Sequence, residues 1–201
     1  MRQLRSRWDI SFPQAMMWGA LACAAGFAIT IVRERKQGTL MRLQVAPVTR
    51  TQVLAGKATA CFLAVIGVMV VMMALGMWLG MRPRSFRLLV AAGLCIAFCF
   101  VGIMMLMSVI GKSEEAVSGA AWSGNMLMAM FGGAMVPLVF MPSFMKVVSN
   151  FSPVKWSILA LEGAIWRQFS LIEMLFPCAV LVGIGVVCFA IGARVLSRAM
   201  G

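Results

Sequence analysis

Long uncharged runs separated by short basic stretches set the pattern of this chain. Five runs meet or approach the roughly 20 apolar residues that a membrane helix needs, namely residues 15–32, 58–81, 88–111, 116–136 and 174–193. The first three hold no charged residue, and each is closed by Arg or Lys. The fourth stays uncharged from Ala116 to Met145, too long for one crossing, and Pro137 and Pro142 interrupt its far end, which predicts a helix to about Val136 and then a break. Pro177 is expected in the first turn of the fifth, where proline is tolerated. Within a segment taken as 142–172, residues 151–172 are apolar but carry Lys155, Glu162 and Arg167, too polar to span easily and too apolar for a free loop. A re-entrant or interfacial pair of short helices fits that segment. The predicted fold is all-α, a polytopic membrane helical bundle forming a single domain over residues 1–201.

The stretch at 33–57 is longer and more punctuated than the joining of two spans requires. It opens with Arg33, Glu34 and Arg35, breaks at Gly38, and resumes with Thr39 as an N-cap that places Leu40 and Leu43 on one side. Pro47 stops that helix, Thr49 can cap another, and residues 50–57 lead into the second span. Two short helices at the membrane surface, with a basic rim, follow from this reading. The fourth span is rich in small residues, Ser118, Gly119, Ala120, Ala121, Ser123, Gly124, Gly132, Gly133 and Ala134, with Asn125 among them. Small residues let helix backbones approach, and Asn can hydrogen-bond across the contact, within the subunit or between two copies.

Composition sharpens the class. With 62% hydrophobic and 12% charged residues, apolar surface exceeds what one soluble domain of 201 residues could bury, so the chain is an integral membrane protein. It has no His or Tyr and only six carboxylates against eighteen Lys and Arg, which removes histidine triads, His-ligated metals and tyrosine nucleophiles. A net charge of +12 does not point to nucleic acid, because the basic residues flank apolar runs and meet lipid headgroups instead. The six cysteines, Cys23, Cys61, Cys95, Cys99, Cys178 and Cys188, lie in apolar runs and read as small hydrophobes, with no disulfide framework or zinc spacing. Cys95 and Cys99 share a helical face, but packing explains them better than a soft-metal site. The twenty methionines read as adaptable packing, with a flexible lining for varied substrates as the alternative. Glu162 either faces a cavity or pairs with Lys155 or Arg167, and the ion pair is the better reading.

Three further features are weighed and set aside. Arg2, Arg5 and Arg7 ahead of an apolar run containing Ala20, Leu21 and Ala22 imitate a signal peptide, but the run continues to Val32, beyond a usual signal core. Gly111, Lys112 and Ser113 imitate the end of a phosphate-binding loop, but Leu106 stands where its first glycine would be and a membrane span precedes it. Gly76 and Gly80 form a G-x-x-x-G that carries little weight in a glycine-rich membrane chain. Lys and Arg divide nine to nine between the two sets of loops, so charge does not orient the bundle.

Glu34, Arg35, Gly38, Thr39, Leu40, Arg42, Leu43, Pro47, Arg50, Leu54, Gly56 and Lys57 together form E-R-x-x-G-T-L-x-R-L, then P-x-x-R, then L-x-G-K. This pattern resembles the cytoplasmic loop of type-2 ATP-binding-cassette (ABC) exporter permeases. Pro137, Pro142, Ser152, Pro153, Trp156 and the run to Gly163 are similar to that family's helical break between its last two membrane helices. The resemblance implies a cytoplasmic loop whose short helix couples to a separate ATP-binding subunit, and a chain that ends inside. It also implies a re-entrant helix pair at the outer face and a multi-pass position in the cell's inner (cytoplasmic) membrane. A second permease copy or a homologous permease is the implied membrane partner. ATP and Mg then belong to the partner subunit, with no cofactor, metal or catalytic residue in this chain. The family usually has six membrane helices, with an extracytoplasmic domain often following the first. Five are expected here, so the first span corresponds to the family's second, and the chain is either truncated or completed by a partner. The rival readings are a membrane scaffold or assembly subunit, an inactive truncated permease, and a membrane enzyme built on a Ser and Lys pair.

Overall fold

The computed structural model describes residues 8–37, 50–111 and 113–199. Among these residues all regular structure is helical: α1 (Trp8–Lys36), α2 (Arg50–Trp78), α3 (Phe86–Ile110), α4 (Glu114–Gly132), α5 (Ser143–Ser149), α6 (Pro153–Glu162) and α7 (Leu171–Ala199). A 3₁₀ turn at Leu138–Phe140 precedes α5, and a π-helical turn at Gly163–Arg167 follows α6. Four of these helices, α1, α2, α3 and α7, are long and apolar enough to cross a membrane. The expected fourth span is the helix α4, but Glu114, Glu115, Asn125 and its serines and glycines make it too polar to qualify by composition alone.

Helix ends have identifiable causes. Proline cannot continue α2 at Pro83, and Gly80, at a φ of +95°, turns the chain so that Met81 donates its N–H to the Gly76 carbonyl at 2.8 Å and buries its side chain. The second span therefore stops at Trp78, short of the expected 81, and starts at Arg50, absorbing the stretch before residue 58. Gly76 packs under Met81 and Phe12 while Gly80 makes the turn, so the two do not act as one motif. In α4 the expected end near Val136 moves back to Gly132, because Gly133 adopts a φ of +99° and donates its N–H to the Ala129 carbonyl. At α7 the expectation for Pro177 fails. Ser170 and Glu173 form a capping box, the Ser170 N–H reaching Glu173 Oε2 at 2.7 Å and the Glu173 N–H reaching Ser170 Oγ at 3.3 Å, so the helix begins earlier. Pro177 consequently lies inside α7, beyond its first turn.

α3 is the centre of the bundle, with buried residues from Leu88 to Ser108 and contacts to α1, α2, α6 and α7. Direction follows from which ends meet. Gln14 near the start of α1 donates to the Gly133 carbonyl at the end of α4, at 2.9 Å, while Arg33 near the end of α1 meets Glu114 at the start of α4. These two helices are antiparallel. α3 and α7 run parallel, because Gly185 lies against Phe98 and Cys99 while Gly192, seven residues on, lies against Met105. At Gly102 the helices touch backbone to backbone, on the Gly185 carbonyl. In a bilayer, where lipid is as apolar as the core, such close packing rather than removal from water holds helices together.

Candidate functional site

The ends of the 33–57 stretch meet at one end of the bundle. Glu34 at the close of α1 pairs with Lys57 in α2 at 2.5 Å, both side chains at least two-thirds covered. Arg33 donates through Nε to Glu114 Oε1 at 3.0 Å, and Lys36 approaches Glu115 at 3.9 Å. The chain thus leaves α1 and enters α2 through a junction tied to the start of α4. Gly56, one residue before Lys57, is exposed with open space around it. Arg35 and Arg50 lie on the helix ends, whereas Gly38, Thr39, Arg42, Leu43 and Pro47 lie outside the described residues. Ser113 is the N-cap of α4, its Oγ accepting the Ala116 N–H at 3.1 Å, which gives this member of the false phosphate loop a plain capping role.

Arg33 holds the Glu114 carboxyl below the usual carboxylate range, chiefly through its hydrogen bond. A depressed carboxylate stabilises the fold above its unfolded pKa and loses that contribution as pH falls through its folded value. In detergent micelles the wild type is expected to melt slightly above Glu114→Gln at neutral pH. That gap should close on acidification below about pH 4; a gap that persists unchanged would rule out the ion pair as its source.

The small residues of α4 separate into two roles. Asn125 is fully buried and donates Nδ2–H to the Leu21 carbonyl of α1 at 3.0 Å, the hydrogen bond between helices expected of it, while its Oδ1 has no partner among the described residues. Gly132 lies against Val154 and Ser152, where a Cβ would not fit, and Ser152 Oγ donates to the Met128 carbonyl at 2.9 Å, seating the start of α6 on the end of α4. Gly133 packs on Leu138. Gly119 and Ser123 are different: both are exposed, and Ser123 satisfies its hydroxyl on the Gly119 carbonyl at 2.8 Å. At Gly124, half-buried, an added Cβ would meet only Met107, at 4.0 Å.

Two short helices occupy the expected re-entrant segment. Pro142 is the exposed N-cap of α5, and Pro153 is the buried first residue of α6, where its missing N–H costs nothing. Trp156 donates Nε1–H to the Asn150 carbonyl at 2.9 Å and meets the Phe176 ring edge-on at 5.3 Å, joining α6 to α7. Glu162 is 4% exposed and accepts from Arg167 Nε at 2.7 Å. Arg167 is therefore its partner, and Lys155 instead reaches Asn150 Oδ1 at 2.6 Å. The π-turn brings residues five apart together, and the Arg167 guanidinium also lies 4.8 Å from the Trp166 ring centre.

Sequence reading missed the α3–α7 contact at Gly102, Gly185 and Gly192. The seven-residue spacing of the last two was the available signal. It also missed Glu114 as the partner of Arg33, 81 residues away, for which no local pattern exists.

Helices long enough to span, an irregular segment packed among them and charge confined to their ends define a multi-pass α-helical membrane protein. Residues 10–194 match the profile of the ABC-2 family transporter protein, and the chain belongs to that family. It is 26% identical over 177 residues to the linearmycin resistance permease protein LnrN of Bacillus subtilis, covering 85% of this chain and 45% of that one. It is 24% identical over 130 residues to YbhR of Escherichia coli K12, named as a probable multidrug ABC transporter permease, covering 64% of this chain and 35% of that one. The chain thus spans about half the length, or less, of these relatives. No solved structure matches it.

Proposed function

We propose that this chain is a permease subunit of an ATP-driven exporter in the cell's inner membrane, working with a separate ATP-binding subunit and a second permease. Five helices, α1 to α4 and α7, cross the bilayer, and α5 and α6 form the re-entrant pair at the outer face. The observation that carries the reading is the tied junction at the ends of the 33–57 stretch. A force applied to that stretch reaches α2 through Lys57 and, through Glu34 and Arg33, reaches α1 and α4 together. Closure of the ATP-binding subunit on the segment from Gly38 to Arg50 would tilt these helices and change the side to which the path opens. ATP and Mg would be held by that subunit. The two relatives carry names for multidrug transport and linearmycin resistance, which makes drugs, linearmycin among them, the first substrates to assay.

Pull-down of the tagged chain from native membranes in mild detergent should recover an ATPase subunit, and Gly38→Pro with Arg42→Glu should lose it. Glu34→Lys and Lys57→Glu should each uncouple ATP hydrolysis from export, and the double exchange should restore coupling. Recovery of no ATPase, or normal export by the Gly38 and Arg42 variant, would overturn the reading in favour of a scaffold.

A further inference from the structure

The turn between α2 and α3 carries three arginines within six residues, Arg82, Arg84 and Arg87, all exposed. Among the described side chains none of them has an ion pair; the carboxylates of Glu34, Glu114, Glu115 and Glu162 are taken by other cations. The turn is nonetheless held in place. Met81 anchors it from below, and the N–H groups of Arg84 and Ser85 donate to the Ile165 and Ala164 carbonyls at 3.4 and 3.3 Å. Three cations are therefore presented at a fixed position on the bundle's end, without an ion pair among the described residues. Arg87 lies in the first turn of α3, where the helix dipole adds to the positive potential.

An apolar groove of about 220 Å³ runs along the surface between α2 and α3, with Met16 and Leu161 also lining it, and Phe86, the neighbour of Arg87, is among its lining residues. Met77 and Phe86, the lining residues nearest the turn, form its mouth, and Ile66 and Leu94 lie at its far end. Met77 lies eleven positions beyond Ile66 along α2, a length of about 16 Å. Met69, Met73 and Val90 line the walls. A volume of about 220 Å³ spread over that length leaves much less room than a helix about 10 Å across would need. A single hydrocarbon chain fits it, and thioether side chains adapt to such a shape.

We propose that the α2–α3 turn and this groove bind one anionic phospholipid, its phosphate held by Arg82, Arg84 and Arg87 and one acyl chain lying between α2 and α3. Charge and shape each select part of that ligand: the arginines require an anion at headgroup level, and the groove requires an apolar chain continuing from it along the helices. A free phosphate would leave the groove unused, and a zwitterionic lipid would set its own headgroup cation beside the arginines. The assignment stands apart from the transport reading, because it concerns whichever leaflet meets the α2–α3 turn.

The full chain, purified in detergent, would be titrated with dioleoyl phosphatidylglycerol and with dioleoyl phosphatidylcholine and examined by native mass spectrometry. One phosphatidylglycerol per chain should be retained roughly tenfold more strongly than phosphatidylcholine, a preference that Arg82→Gln, Arg84→Gln and Arg87→Gln together abolish. Gly93→Phe should weaken retention several-fold with every arginine in place, since a Cβ there meets only Met69 Sδ at 3.7 Å and the ring would fill the groove. Val90→Trp, at an exposed lining position, makes the same test if Gly93→Phe does not fold. Equal retention of the two lipids by the wild type would overturn the proposal. So would loss of binding in the arginine variant alone with competition by inorganic phosphate, which would mark a surface anion patch.

Discussion

Gly102→Ala is expected to destabilise the folded chain by about 3 kcal/mol or more, from one added methyl group. A Cβ at that position would fall on the Gly185 carbonyl, and the obstruction is backbone, which has no rotamer to change. Relief would require α7 to move away from α3. That would also open the contacts of Gly185 with Phe98 and of Gly192 with the Met105 backbone, where Cβ atoms would stand at 2.9 and 2.6 Å. Because α3 also packs on α1, α2 and α6, the alternative of moving α3 is no cheaper. Gly183→Ala supplies the control. Two residues along α7 from Gly185, it has open space for a Cβ, and alanine's better helix propensity should make it neutral or slightly stabilising, by up to about 1 kcal/mol. Heating in detergent followed by size-exclusion chromatography would read the difference as a midpoint lowered by about 6–12 °C in Gly102→Ala. Midpoints that coincide for the two variants would show that α3 and α7 are not seated on each other.

Arg167→Leu should also cost about 3 kcal/mol, by a different route. The Glu162 side chain is 5% exposed, and its described charged partner is Arg167. Removing the guanidinium leaves a carboxylate in an apolar setting, which must take up a proton or admit water. The lower part of the range for broken buried pairs applies because Arg167 itself is 26% exposed and remains partly solvated. Replacing both partners, Glu162→Leu with Arg167→Leu, should recover much of the loss, since the pair's attraction is largely offset by its own desolvation. Arg167→Lys should fall between, keeping the charge but losing the planar guanidinium beside Trp166. The same heating assay decides it: a single variant no worse than the double would mean that Glu162 does not depend on Arg167.

The helices were legible in the sequence where an uncharged run had basic ends, as for 58–81 and 88–111, because membrane solvation imposes that pattern over the whole length of a span. Their ends were less legible. Gly133 stops α4 earlier than Pro137 alone would suggest, and the capping box at Ser170 and Glu173 starts α7 ahead of its apolar run. Asn125 was readable as a bond between helices because a buried amide must find a partner, and the acceptor proved to be Leu21. The ion pair of Glu162 was also readable, since five residues separate it from Arg167. The tie between Arg33 and Glu114 was not, because nothing local marks a partner supplied by the packing of α1 against α4.

The glycine seat between α3 and α7 and the charged junction beside α1 differ in stiffness. Backbone resting on backbone has no soft coordinate, so α3 and α7 behave as a beam. Arg33, Glu34 and Lys57 hold their partners through rotatable side chains, so α1, α2 and α4 form a compliant frame beside it. Added salt screens exposed charges over a Debye length of about 8 Å at physiological strength and about 3 Å at 1 M, while leaving steric contact untouched. Ionic strength should therefore loosen chiefly the more exposed tie between Arg33 and Glu114, affect the covered Glu34–Lys57 pair less, and spare the beam.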